Sequence, residues 1–278
     1  MRDIFGIIDE RASCRVFSDE LIPEEVMKQL MEAACKAPSG GGFQNTSAII
    51  ITDPEKKREL AKLSRNQEFI AKAPVNILFC LDHRRSWRIS QYEYAPKAPE
   101  VDFFELYLGV VDTTIFAHTF CLAAEAMGLA SCYNGNVIQQ SDELCRLFSI
   151  PKYVVPVVML TLGYPKGKRN TSEKFGPDVM FCKENYSDMA IDDLYGKYKE
   201  KTKDQHSMIT EAKLEKIYET AKARFGEEWA DECVKHIRQQ DSLSSFQYWL
   251  GCFYPDKAGD MTVEDYKEFF RKQGFEFA

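Results

Sequence analysis

Residues 105–127, ELYLGVVDTTIFAHTFCLAAEAM, form the longest apolar stretch of the chain and restrict its fold more than any other segment. As a helix the run would be about 35 Å long, enough to cross a bilayer. Asp112, His118 and Glu125 interrupt it, and small residues recur throughout. That combination selects a central helix of a soluble protein, apolar nearly all round and packed inside the fold, in part against a second subunit. Gly128 supplies its stop.

The remaining elements arrange themselves around this helix. PEEVMKQLMEAACKA (23–37) places Val26, Leu30 and Ala34 on one helical face, with Pro23, Glu24 and Glu25 suited to its first turn. SAIIIT (47–52), PVNILFCLD (74–82) and PVVMLTLGYP (156–165) read as buried strands, and ASCYNG as a short strand and turn. PEKKRELAKLS (54–64) and SDELCRLFSI (141–150) read as helices. HRRSWRISQYEYAPKAPEVDFF (83–104) is aromatic, proline-rich and aperiodic, which predicts an irregular binding loop or lid. Strands alternating with helices imply a layered α/β or α+β fold. After about residue 187 the chain becomes charged and helical. Leu214, Tyr218, Ala221 and Phe225 form an apolar stripe that Trp229, Cys233 and Ile237 continue, and the aromatic run at 244–255 needs cover. A first domain over 1–186 and a helical extension over 187–278 are therefore expected. The extension packs along a dimer or forms a peripheral cap.

Composition removes several classes of function. A net charge of -7 and a pI near 5.3 leave no broad basic face for nucleic acid. The nine cysteines form no CxxC pair, and several sit in apolar runs, which predicts reduced thiols in a cytoplasmic protein. The start, MRDIFGIIDER, lacks the apolar core of a signal peptide. No Walker A loop, G-x-G-x-x-G or G-x-S-x-G is present, and the four histidines flank no metal-ligand cluster.

Against that acidic background ERASCRVF (10–17) stands out. In an extended segment Arg11, Ser13 and Arg15 share one face, while Ala12, Cys14 and Val16 point the other way. The two arginines need a negative partner. It is either a carboxylate of this chain or a phosphate, whose oxygens match guanidinium forks and a hydroxyl. SGGG (39–42) lets backbone N–H groups approach a flat or anionic ligand, or is simply a flexible turn. KGKRNTSEK (166–174) is a third cationic cluster, and by itself a solvated basic loop.

The order of these features is more specific than any one of them. Arg11-x-Ser13-x-Arg15-x-Phe17, then AAxxAPSGGGFQNTSAIIITD, then GVVDTTIFAHTFCLAAEAMGLASCYNGNV, then VPVVMLTLGYP, resembles the nitroreductase family over roughly residues 3–186. The likeness is greatest to its NADPH-dependent flavin reductase and oxygen-insensitive nitroreductase branch. The resemblance implies an α+β fold, a three-layer α/β/α sandwich with a central mixed sheet, with 105–127 as the helix of a homodimer. It also implies FMN held without covalent attachment at the subunit interface.

Carried onto this chain, the resemblance gives Arg11 and Ser13 as phosphate and ribityl contacts and Arg15 as the catalytic cation near the pyrimidine edge of the flavin. Ser39, Gly40 and Gly41 would lie along the ribityl and phosphate, Gln67 at the ring edge, and Tyr133, Asn134 and Gly135 behind the flavin. Relatives grip the phosphate with a Lys-x-Arg pair. Here Lys166, Lys168, Arg169 and Lys174 are on offer, and Lys168 and Arg169 are the expected pair. Relatives also carry serines where this chain has Gly40, Gly41 and Gly42. Tyr92, Tyr94, Phe103 and Phe104 fall at a variable wall over the flavin. Arg84, Arg85 and Arg88 are either donors to the 2′-phosphate of NADPH or a surface cluster. The activity implied is two-electron transfer from NADH or NADPH, by a ping-pong mechanism, to a nitroaromatic, quinone or flavin acceptor. The alternative is a flavin-binding or regulatory protein with little turnover.

Overall fold

A computed structural model describes residues 3–96, 101–254 and 261–276. The chain divides into two compact units, Met1–Thr171 with Asp260–Ala278, and Ser172–Gly259. The expected division after residue 186 thus falls inside the second unit, and the end of the chain returns to the first.

In the first unit α1 (Ile4–Glu10) and α2 (Glu24–Ala34) precede β1 (Thr46–Ile51). Next come α3 (Pro54–Leu63), α4 (Glu68–Lys72), β2 (Val75–Asp82), α5 (His83–Tyr92) and α6 (Phe103–Ala126). β3 (Ala130–Asn134), α7 (Ser141–Leu147) and β4 (Val154–Gly163) complete the sheet. Its order is β1-β2-β4-β3, and all three pairings are antiparallel. The sheet is thus antiparallel among the described residues, where a mixed one is expected. The physical reason lies in the connection: the α6 crossover returns the chain so that β3 runs the same way as β2. β4 then inserts between them, antiparallel to both.

β2 is buried along its whole length. Its Val75, Ile77 and Phe79 face α2 and α6, where Leu30, Ala117, Phe120, Cys121 and Ala124 pack. Its Leu78 and Cys80 face the opposite core with Leu60, Ile70 and Leu144. Period-two alternation in a continuous apolar run thus produces two cores and three layers.

α6 has two faces. Phe116 and Phe120 meet Phe79 edge-on at ring separations of 5.8 and 5.9 Å. The opposite side leaves Phe103, Tyr107, Val110, Val111 and Ile115 exposed. The run is apolar all round, yet one chain buries only one side of it. Beyond Glu105 in its first turn, the two carboxylates within it, Asp112 and Glu125, are buried and hydrogen-bonded.

The segment after β2 corrects the expectation of an irregular loop over 83–104. Residues 83–92 are helical because Asp82 caps α5 and accepts from the Arg85 amide at 3.2 Å. The Arg85 guanidinium donates to the carbonyls of Gln44 and Thr46 and to Ser47 Oγ. These anchors are distant in sequence, so periodicity does not reveal them. They also commit Arg85 to the fold rather than to a ligand. Of the expected wall, residues 97–100 lie outside the described residues; Tyr92, Tyr94, Phe103 and Phe104 are exposed.

The second unit holds α8 (Pro177–Met180), α9 (Ile191–Thr202), α10 (Glu211–Phe225), α11 (Glu227–Ile237) and α12 (Ser245–Tyr248), followed by a π-helical turn, Trp249–Phe253. Leu214, Ile217, Ile237, Leu243 and Cys252 form its core. α13 (Val263–Lys272) opens on a Thr262–Asp265 capping box and belongs to the first unit, where Phe269 and Phe275 pack with Leu81, Leu106 and Val155. None of the nine cysteines forms a disulfide; Cys35 and Cys182 are exposed.

The close approach of α6 to β2 is set by Gly109. A Cβ there would lie 2.3 Å from Leu81 Cδ1, and Leu81 is fully buried. Gly109→Ala is expected to destabilise the protein by about 1–3 kcal/mol through overpacking. A lowered urea midpoint at constant m would show it.

Candidate active site

α1 ends at Arg11, where the backbone becomes extended. Segment 11–17 then runs past β3, with the Cys14 amide donating to the Ser131 carbonyl at 2.9 Å. Further along, the Lys166 amide donates to Val16 O at 3.1 Å, and Phe17 forms a bridge with Pro165. Ala12 and Cys14 are buried, whereas Ser13 and Arg15 are exposed and Arg11 is half-buried. The alternation legible in ERASCRVF is therefore realised over residues 11–15, with the two guanidinium groups and the hydroxyl on the outward face; Val16, expected to point inward with Ala12 and Cys14, is instead 61% exposed. Among the described residues, neither Arg11 nor Arg15 has a carboxylate within ion-pair reach.

The same face collects several other expected residues. The Arg15 guanidinium carbon lies 5.9 Å from the centre of the Phe69 ring, in α4 directly after Gln67. Gln67 is half-buried and its side-chain amide donates to Ser64 O. The charge of Arg11 reaches His118, Cys121, Cys132 and Tyr133. The Tyr133 and His118 rings stack at 6.4 Å, with the hydroxyl 3.4 Å from His118 Nδ1. Burial raises the Tyr133 phenol far above its usual range, so it stays protonated. Burial, and secondarily Arg11, lower the His118 imidazole. Asn134 Oδ1 accepts from the Asn136 amide, which shapes the turn opened by Gly135.

The expected glycine turn lies elsewhere. The Ser39–Gly42 turn is tied to the opposite half of α6, where the Gly40 amide donates to both Asp112 carboxylate oxygens, at 3.2 and 3.0 Å. The Ala12 carbonyl, by contrast, is linked through Arg169 to Glu125. The interval from Asp112 to Glu125 spans about 20 Å of helix. A single chain therefore does not bring Ser39, Gly40 and Gly41 to Arg11 and Ser13. Gly41 and Gly42 are left-handed (φ 57° and 72°), and a Cβ on Gly41 would lie 2.9 Å from the Phe43 ring. The turn adopted here thus favours glycine over the serines of relatives.

Of the basic loop, Lys168 is exposed, while Arg169 turns inward to Glu125. Lys174 belongs to the second unit. Sequence reasoning noted Asp112 and Glu125 only as interruptions. The usable signal was that a carboxylate in an apolar helix must find a donor. Among the described residues no group of His, Cys, Asp and Glu could hold a metal ion.

An outward pair of unneutralised guanidinium groups with a serine hydroxyl suits a phosphate monoester, and the adjoining Gln67 and Tyr133 suit a planar, partly polar ring. The sequence profile of the nitroreductase family matches residues 8–164. The chain is 26% identical over 243 residues to an FMN reductase (NADPH) of Bacillus subtilis, a match covering 86% of this chain and 93% of the relative. It is 30% identical to an FMN reductase [NAD(P)H] of the same organism over 67% of this chain and 75% of that one. The solved structure of the hypothetical oxidoreductase YcnD from Bacillus subtilis superposes with a TM-score of 0.73 at 25% identity, covering 100% of this chain and 99% of that one. The first and last of these matches cover too much of the chain to stop at residue 186, so the likeness reaches into the helical tail.

The placement of His118 beside Arg11 can be tested by NMR titration of the imidazole. Its midpoint is expected below the usual histidine value and should rise partway in Arg11→Ala, since burial remains. The folded state favours neutral His118. Its contribution to stability is therefore present above the usual imidazole pKa and is lost as pH falls below it. A normal midpoint that ignores Arg11→Ala would contradict the placement.

Proposed function

The chain belongs to the nitroreductase family, and from that premise we propose that it is an FMN-dependent NAD(P)H oxidoreductase working as a homodimer. The observation that carries the reading is the face bearing Arg11, Ser13 and Arg15, two cations without an acidic partner among the described residues of a protein of net charge -7. FMN, when bound, would supply two-electron chemistry between NADH or NADPH and a nitroaromatic, quinone or flavin acceptor, in ping-pong order.

The chain's own residues bind, orient and stabilise. Arg11 and Ser13 hold the phosphate and adjoining ribityl, with exposed Lys168 adding charge. Arg15, steadied against Phe69, would offer a fixed cation to the pyrimidine edge of the flavin and stabilise negative charge there. Gln67 would hydrogen-bond the ring edge, and Tyr133, Asn134 and Gly135 would back the ring. Tyr133 stays neutral, so it adds no competing negative charge. No side chain is needed as a nucleophile, and water supplies the proton of the acceptor.

Two observations support the dimer. α6 exposes Tyr107, Val110, Val111 and Ile115 as an apolar stripe at helical spacing. The Ser39–Gly42 turn also sits too far along α6 to serve the arginines of its own chain. A second copy packed on the stripe would bring that turn to the partner's flavin, so each site would need two chains. Nine cysteines without a disulfide suit a reducing cytoplasm.

Arg11→Ala is expected to weaken FMN binding by about 10–100-fold, the worth of a charge-assisted hydrogen bond. Arg15→Ala should retain FMN better and slow its reduction by NAD(P)H more. Fluorescence titration and stopped-flow absorbance separate the two effects, and equal loss of FMN in both variants would contradict the division. Sharing of the site is tested with hybrid dimers of an Arg11→Ala chain and a Gly41→Val chain. One full-affinity FMN site per hybrid is expected, and none if each chain builds its own.

A further inference from the structure

The sequence offers Arg169 as a direct grip on the phosphate. The structure gives it other work. Its Nη1 donates to Glu125 Oε1 and Oε2 at 2.9 and 2.8 Å and reaches the Ala12 carbonyl at 3.5 Å. Glu125 is 2% exposed and the Arg169 side chain 16%. Ala12 is the residue between Arg11 and Ser13.

Glu125 lies in the last turn of α6, where the helix dipole is unfavourable to a carboxylate and burial adds to the cost. Such a group stays in place because cationic donors come to it. Arg169 meets it while bound to the backbone of the phosphate-binding strand. The Lys166 amide ties the same loop to Val16 O. Loop 166–169 therefore holds segment 11–17 at two points, Ala12 and Val16, on either side of Ser13 and Arg15. The Arg169–Glu125 pair carries no net charge, so it offers little attraction to a phosphate. Arg11 supplies that charge, and the pair decides where Arg11 stands.

We propose that Arg169 is a positioning residue for the FMN phosphate site, acting with Glu125 through the Ala12 carbonyl to fix Arg11 and Ser13. The proposal rests on the functional reading above, because it assigns a role toward FMN.

The most direct test is Glu125→Gln, which leaves Arg169 in place. Weaker FMN binding, by about 5–10-fold, is expected if the pair positions the strand. Unchanged or tighter binding would overturn the proposal, since a guanidinium released from Glu125 would then be serving the phosphate directly. A cycle makes the same distinction with both charges removed, which avoids a lone buried ion. FMN affinity is compared for wild type, Arg11→Ala, Glu125→Gln/Arg169→Met and the triple variant. The charge-free pair should cost about 10-fold beside Arg11 and less than about 2-fold once Arg11 is gone. An equal loss in both backgrounds overturns the proposal.

Amide hydrogen exchange in FMN-free protein supplies a readout independent of the flavin. Exchange over residues 12–16 should quicken in Glu125→Gln/Arg169→Met while β2 stays protected. Unchanged exchange over 12–16 overturns the positioning role. If wild type takes up no FMN, the functional reading fails and this proposal with it. If wild type binds FMN and the cycle is additive, only the positioning role fails.

Discussion

Two carboxylates inside an apolar helix organise the first unit. A buried carboxylate is costly unless donors reach it, so Asp112 and Glu125 persist in α6 by drawing donors to themselves. Asp112 draws the Gly40 amide and thereby fixes the 39–42 turn. Glu125 draws Arg169, which brings loop 166–169 and the carbonyl of Ala12. Each pairing places a functional segment at a set height along the helix. α6 is then both core element and ruler.

The consequence is a divided site. The proposed phosphate-binding segment, 11–17, and the glycine turn, adjacent in the logic of flavin binding, are tied to points about 20 Å apart along one helix. The exposed stripe of the same helix supplies a surface on which a second copy can dock and reunite them. An apolar sequence that looks buried on all sides is thus buried half by its own sheet and half, in the proposed dimer, by its counterpart.

Much of this was legible in residues alone. β2 and β4 announced themselves as apolar runs, and ERASCRVF showed its outward cations by alternation. What sequence could not show was direction and distance. Arg169 and Lys168 are neighbours of like charge, and only the position of Glu125 decides that one turns inward. The helix at 83–92 is fixed by Asp82 and by carbonyls at 44 and 46, which a local window does not contain. The return of α13 to the first unit depends on Phe269 and Phe275 finding Leu81 and Val155, contacts too distant in sequence for periodicity to register. Ser39 could be matched to the family by motif, but motif order does not say which chain's flavin it serves.

The central claim is that this chain binds FMN and turns it over with a nicotinamide. The most direct measurement is the visible absorbance spectrum of the purified protein, before and after anaerobic addition of NADPH and then NADH. The account predicts a yellow protein, or one that becomes yellow with added FMN, whose flavin band bleaches on addition of nicotinamide and returns with a quinone or nitroaromatic acceptor. A flavin band that neither nicotinamide bleaches would contradict the enzymatic claim and leave a flavin-binding protein with little turnover. A protein that stays colourless in the presence of FMN would contradict the account at its root.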